Sequence, residues 1–450
     1  MTQTSLLQTI VRQPFATQAL VDAIWLVAIG LFGLLTQAGF AVLYAGLVRS
    51  KNVAHTTAMV LLASCASILG TWSVGFGLQN GYRGFLFSPS TVGTALVVAF
   101  LSRASLSAVS ATIPMGAMAE RSRLGLTVLL SFIGSAAIFP IYSQWVWSGG
   151  WLSKLHLGHG VVDCAGAAVV HMTGGTIALV SAKMLGPRLG KYSLRGEVRP
   201  IPAHSMPMVV LGTLLLAGGW FGLATASGAR GNDNLAAALA VNLLLASAAG
   251  AMWAFIHTRF RFGKPDLSMI CNGFLAGLVS ISAAGPFVAS GSAVVIGASA
   301  SLLTLEGALF LERRLRIDDP AGAAAVHCVA GAWGLLAVGI FADGRAGDGW
   351  NGVAGPVEGL FAGSGSQLLA SVLGIAANVA WVVPTSALAL WIIDRLIGSR
   401  SVADDEIAGL DVPELGMTGY VSEAVHPGAT RGGDLGHGKA SSGPGIGVRS

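Results

Sequence analysis

Asp163-Cys-Ala-Gly-Ala-Ala-Val-Val-His171 and Asp319-Pro-Ala-Gly-Ala-Ala-Ala-Val-His327 are two copies of one pattern, D-x-A-G-A-A-x-V-H. Small residues recur easily in an Ala-rich chain. An acid and an imidazole held eight positions apart in both copies do not, so the pair marks an internal duplication. Reading outward, the chain contains eleven apolar segments, at about 21–48, 53–78, 92–119, 124–146, 162–186, 204–226, 233–257, 268–288, 291–312, 322–342 and 366–397. The first copy lies in the fifth segment and the second in the tenth. Five spans is an odd number, so the second unit re-enters the membrane in the opposite sense to the first. Such inverted repeats are related by a pseudo-two-fold axis in the membrane plane, with the functional site near the midplane. At a helical rise of about 1.5 Å per residue, each His stands about 12 Å inward from its Asp. The sequence therefore predicts that His171 and His327 meet near mid-bilayer.

Composition fits that reading. Of the 450 residues 53% are hydrophobic and only 10% charged, with a mean hydropathy of +0.70, where soluble domains carry about 25% charged residues. That surplus of apolar side chains excludes a single soluble core but covers several helices of roughly 20 residues, each long enough to span a bilayer. The 62 glycines suit close helix approach in lipid, where packing drives association. A net charge of +5 raises the question of a nucleic-acid partner, which the placement of the charges answers in the negative. The basic residues fall in alternate short loops: Arg49 and Lys51; Arg121 and Arg123; Lys183 to Arg199; Arg259, Arg261 and Lys264; Arg313, Arg314 and Arg316. With Arg395, Arg400 and the tail, these make 20 of the 26 Lys and Arg. By the positive-inside rule that side is the cytoplasm, with the N-terminus outside and the C-terminus inside.

The expected architecture is thus an all-α polytopic protein of the cell membrane with eleven transmembrane helices in a five-plus-five inverted repeat. Residues 1–20 form an external segment without the pattern of a cleavable signal. Residues 21–397 form the membrane domain, and 398–450 a cytoplasmic tail that loses apolar periodicity and is largely disordered at its end. The Gly-rich stretch 343–365 suits an external loop. Cys65, Cys164, Cys271 and Cys328 have no paired or metal-like spacing and read as buried small hydrophobes.

Ionisable residues within a bilayer are costly, and a symmetric pair of imidazoles there is a functional site by default. Packing glue is the bland alternative, and haem held between two histidines a third. Nothing else in the sequence asks for a cofactor or metal. A sodium-coupled transporter would also use inverted repeats, but no midplane acid is evident for its cation. Asp163 and Asp319 are either carboxylates on an ion path or, the preferred reading since they stand at or near helix starts, structural caps for exposed N–H groups. Trp147, in WVWSGG, is either an interfacial anchor or a cation–π face for a small cation.

Taken together, GLVRSKN at 46–52, GAMAER at 116–121, VWSGGWLSKL at 146–155, VVDCAGAAVVHMTGG at 161–175, GWFG at 219–222, NGFLAGLVSI at 272–281 and DDPAGAAAVH at 318–327 resemble the ammonium transporter family, the Amt/MEP/Rh group. The resemblance implies a homotrimer with one pore per subunit and no enzymatic activity. His171 and His327 would be the pore histidines. Trp147 and Ser227, in GLATASGA, would form the outer ammonium site, supported by Asp163 and Trp220. Ammonium would shed its proton through the His pair while ammonia follows an apolar path. In bacterial relatives a tail segment contacts the cytoplasmic face and underlies control by PII-type regulators.

Several positions depart from the family pattern. Its two stacked gate phenylalanines map to Leu106 and Leu223, and its asparagine after the second gate to Ala224. Leu415 and Met417 stand where a His and a Glu are usual in the tail, which weakens the case for the PII-type partner. Leucine plugs a pore but offers no π face, so the outer site loses cation affinity. Arg103 replaces a glutamine and shares a helix face with Leu106. It is expected to snorkel to the outer headgroups rather than to stand in the mouth and repel ammonium. The function expected is ammonium or ammonia transport, with an ammonium sensor of weak transport as the alternative.

Overall fold

In hydrocarbon a chain can satisfy its N–H and C=O groups only within the segment itself, so long apolar runs fold as helices. A computed structural model describes residue 24 and residues 27–81, 84–228 and 233–420, and among these the architecture is all-helical. The membrane-length helices begin with α1 (Val27–Leu47), α2 (Ser50–Asn80), α3 (Thr94–Met118), α4 (Leu124–Trp147) and α5 (Ala167–Leu185). The second set is α6 (Met206–Gly228), α7 (Asp233–Phe262), α8 (Leu267–Phe287), α9 (Ser290–Arg313) and the shorter α10 (Ala325–Phe341). A last helix, α11, runs over Ser366–Ile397. Ten of these are long and apolar enough to cross a membrane, with α10 shorter than the rest. The segment 1–20 and the end of the tail lie outside the described residues.

The two sets pack on each other reciprocally. A Cβ at Gly39 of α1 would stand 2.3 Å from the Leu216 nitrogen of α6, and one at Gly212 of α6 would stand 2.2 Å from the Leu43 nitrogen of α1. Only hydrogen at these positions lets the first helices of the two sets cross in backbone contact. Outward faces are apolar as well: Leu61, Cys65, Ile68 and Leu69 form an exposed stripe on α2. Cys65 is therefore not buried, as its apolar neighbourhood suggested, whereas Cys164 and Cys271 are and Cys328 is partly so. In a membrane chain an apolar neighbourhood does not imply an inward-facing side chain, because lipid accepts the same residues as the core does.

The basic loops meet at one end of the bundle around a buried ion network. Glu120, after α3, holds a left-handed backbone at φ 69, a conformation that costs a non-glycine residue about 1 kcal/mol. Its carboxylate offsets that cost by accepting from the Arg49 backbone at 2.5 Å, from Arg49 Nε at 3.1 Å and from Arg188 at 2.8 Å. Arg188 also holds Asp318 through its backbone N–H at 2.9 Å and its guanidinium at 2.8 and 2.9 Å. Lys191 pairs with Glu312 beside them. Burial alone would raise both carboxyls, but the arginines outweigh it: Glu120 lies below its ordinary value and Asp318 is brought from 3.8 to about 2.

A carboxyl depressed on folding contributes stability above its unfolded value and loses it as pH falls through the folded one. The wild type is thus expected to lose thermal stability in detergent between about pH 4 and 2. Asp318→Asn should flatten that window and cost about 3 kcal/mol at neutral pH, because it strips a partner from a buried arginine. An unchanged acid profile in Asp318→Asn would remove Asp318 as the titrating group.

The tail straps this same end by reading helix termini. Two short helices follow α11: α12 (Ala403–Ala408) and α13 (Asp411–Leu415). Asp411 Oδ1 accepts from His55 N at 2.8 Å near the start of α2, and Glu414 accepts from Leu124 N at 3.1 Å at the start of α4. Arg400 donates to the Leu185 carbonyl at the end of α5 at 2.8 Å. Acids at N-termini and a base at a C-terminus complement the helix dipoles. Leu415 is half-buried and Met417 exposed.

Candidate functional site

Asp163 and Asp319 build the two halves of the site by the same local geometry. Asp163 Oδ1 accepts from the N–H groups of Gly166 and Ala167 at 2.8 and 2.9 Å, and Oδ2 from Ala168 and Val169 at 2.9 Å each. Asp319 accepts from Ala323, Ala324 and Ala325 at 3.0, 2.8 and 3.4 Å. One carboxylate thus satisfies a helix N-terminus that hydrocarbon would leave bare. The glycine of each motif makes the turn into the helix in the left-handed region, Gly166 at φ 98 and Gly322 at φ 69, where a Cβ would strain the backbone. The eight-residue spacing is consequently not one continuous α-helix. A capping turn is followed by a π-helical turn, Ala167–Met172 in α5 and Ala325–Val329 in α10, and each contains its histidine. Single π turns interrupt the regular ladder and mark functional positions.

The sequence reading missed a further pair. Gly175 and Gly331 each follow their histidine by four residues. A Cβ at Gly175 would lie 2.2 Å from the Cys328 nitrogen, and one at Gly331 would lie 2.5 Å from the Ala167 carbonyl oxygen. Each half therefore seats its glycine on the other half's π turn, and this crossing brings the two histidines together. Extending the motif by four positions would have shown them.

His171 and His327 have ring centroids 5.2 Å apart and planes at 20°. Trp220 lies 3.8 Å from the His171 centroid at 19° and 6.4 Å from the His327 centroid. The squares of the two shorter distances add almost to the square of the longest, so the angle at His171 is close to a right angle. Trp220 thus covers the face of His171, while His327 lies beside it, edge to edge and nearly coplanar. Trp220 Nε1 donates to Ser282 Oγ at 3.2 Å, which fixes the indole. Phe40 borders His327 at 6.1 Å. Both imidazoles are 2% exposed, and their Nδ1 atoms have no hydrogen-bond partner among the described residues. Haem ligation needs an iron between the two rings and a macrocycle around it. Ring edges in contact under an indole leave room for neither.

Beyond His171 lies a small cavity with about 10 Å³ of room for the centre of a water-sized sphere, close to the space one water needs. His171, Trp220, Leu106, Leu223 and Ala224 all line it. The two leucines are 6% and 2% exposed, so they close it from α3 and α6. Trp147 Nε1 donates to the Asp163 carbonyl at 2.7 Å, tying the ring to the first motif. Ser227 stands in the last turns of α6, and its side chain is outside what the structure describes. The guanidinium carbon of Arg103 sits 4.5 Å from the Trp147 ring centroid. The ring, held by its backbone hydrogen bond, offers this long side chain a fixed aromatic partner.

With the geometry in place, comparison with known proteins is informative. The model of the Ammonium Transporter Family matches residues 24–420. Ammonium transporter Amt2 of Archaeoglobus fulgidus is 38% identical over 415 residues, covering 89% of this chain and 88% of that protein. Among solved structures, one described as a sensor Amt protein superposes with a TM-score of 0.80 at 30% identity, covering 89% of this chain and 99% of that one. Mep2 of Saccharomyces cerevisiae superposes at 0.75 with 27% identity, covering 86% and 88%. The relatives are transporters rather than enzymes, and with its ten apolar helices the chain is a multi-pass protein of the cell membrane. A match over that length makes the chain a member of the ammonium transporter family.

Proposed function

We propose that the chain conducts ammonium or ammonia through a pore between its two repeats, with His171 and His327 as the central proton-handling pair. The observation that carries this reading is the edge-to-edge pair itself, buried where the two π turns cross. A full charge in an apolar constriction is prohibitive, whereas an imidazole pair can take the proton and let neutral ammonia pass. Trp147 and Ser227 receive the ion, Leu106 and Leu223 form the gate, Asp163 orients Trp147 through its carbonyl, and Trp220 holds the plane of His171.

The topology proposed is eleven spans with α10 included, the N-terminus outside and the C-terminus cytoplasmic. Support comes from Arg49, Arg121, Arg188 and Arg400, which share one end of the bundle, as the positive-inside rule requires of the cytoplasmic end. The assembly proposed is a homotrimer in lipid. A PII-type regulator is a weak partner here, since Leu415 and Met417 lack the polar groups usual in that segment.

A second reading, an ammonium sensor with weak transport, is favoured by the lost gate rings and by the 30% identity to the sensor Amt protein. The deciding experiment records ammonium-driven current and internal pH in liposomes holding the purified protein. Saturating current supports electrogenic transport, and an alkaline shift without current supports ammonia conduction. Silence in both despite ammonium binding supports the sensor. In the same assay Leu106→Phe with Leu223→Phe is expected to raise discrimination for ammonium over potassium by about threefold, by restoring π faces. No change would mean that the gate lies elsewhere.

A further inference from the structure

We propose that Arg103 is the specificity determinant of the outer site, a tethered cation that occupies the Trp147 face and must be displaced before ammonium binds there. This rests on the conduction reading only for where the ion is received.

The indole is a prepared cation–π face. Its Nε1 is anchored on the Asp163 carbonyl at 2.7 Å, and its Cη2 lies against Gly166, where a Cβ would stand 3.4 Å away. Trp147 is only partly buried. The Arg103 guanidinium, 4.5 Å from the centroid, is within the roughly 6 Å at which the ring quadrupole attracts a cation. A guanidinium is more weakly hydrated than an ammonium, so it loses less on leaving water for that face. It is also attached, and its effective concentration there is of the millimolar order typical of short tethers. Free ammonium must compete with it.

Position along the pore gives the competition its consequence. Arg103 precedes Leu106 by one turn on the same face of α3, and Leu106 lines the cavity that holds His171. A cation arriving at the indole one turn above the gate must move the guanidinium aside, whereas neutral ammonia has no cation–π contact to win there. Arg103 thereby biases the pore against ions at its first contact.

The test is calorimetric titration of the purified full-length protein with ammonium and with methylammonium. Arg103→Gln is expected to bind ammonium about tenfold more tightly than the wild type, and Arg103→Lys to resemble the wild type. The gain should vanish when Trp147→Leu is added to Arg103→Gln. Arg103→Met, which keeps the apolar stem, provides the same comparison should Arg103→Gln fold poorly. Unchanged or weaker binding in the charge-free variants overturns the proposal, as does a gain that survives loss of the indole or no detectable heat in any variant. Lack of flux in wild-type liposomes would defeat the conduction reading alone, because the titration reads binding without transport.

Discussion

His171→Ala is expected to lower ammonium-driven current in liposomes by roughly a hundredfold, the scale on which a positioned proton-transfer group acts. The side chain is buried, with Trp220 on its face at 3.8 Å and His327 beside it at 5.2 Å. Alanine leaves an apolar gap there, with no group to take the proton before the molecule enters the constriction. A charged ion then faces the whole desolvation cost. Folding should survive, because the carboxylate cap at Asp163 and the glycine crossing are untouched. The control is thermal unfolding of the variant in detergent, expected to fall by only a few degrees. Unchanged flux and unchanged ammonium selectivity would end the assignment of His171 to the proton path.

Gly175→Ala is expected to produce a large loss of stability, about 3 kcal/mol or more, by forcing a methyl into backbone. The nearest atoms are the Cys328 nitrogen at 2.2 Å, the His327 carbonyl carbon at 2.7 Å and Cys328 Cα at 2.8 Å. None of these is the end of a flexible side chain, so the two halves must separate or the π turn must unwind. Either response moves His327 away from His171, and flux should fall with stability. Gly30→Ala in α1 provides the matched comparison: nothing lies within 4 Å of its added methyl. That substitution should be neutral or stabilise by up to about 1 kcal/mol, as alanine favours a helix interior. Equal melting of the two variants would contradict the reciprocal packing described for α5 and α10.

Much of the fold was legible because it depends on quantities that run along the chain. Segment length, the apolar surplus and the alternation of basic loops each bear on topology without any knowledge of contacts. The recurrence of Asp163 and His171 as Asp319 and His327 then brought two distant positions to one expected site. Other features were illegible for a shared reason. Cys65 and Cys164 sit in similar apolar runs, yet one faces outward and the other inward. Asp411 and Glu414 look like ordinary tail acids until the starts of α2 and α4 are brought beside them.

What the sequence by itself determined is the fold class, the family and the two histidine motifs, since these follow from composition, period and paired residue types. What only the tertiary structure decided is the edge-to-edge setting of the imidazoles, the seating of Gly175 and Gly331, and the turning of Arg103 onto Trp147. Each depends on the direction of a side chain and on a distance between residues far apart in the chain, and helical periodicity carries neither.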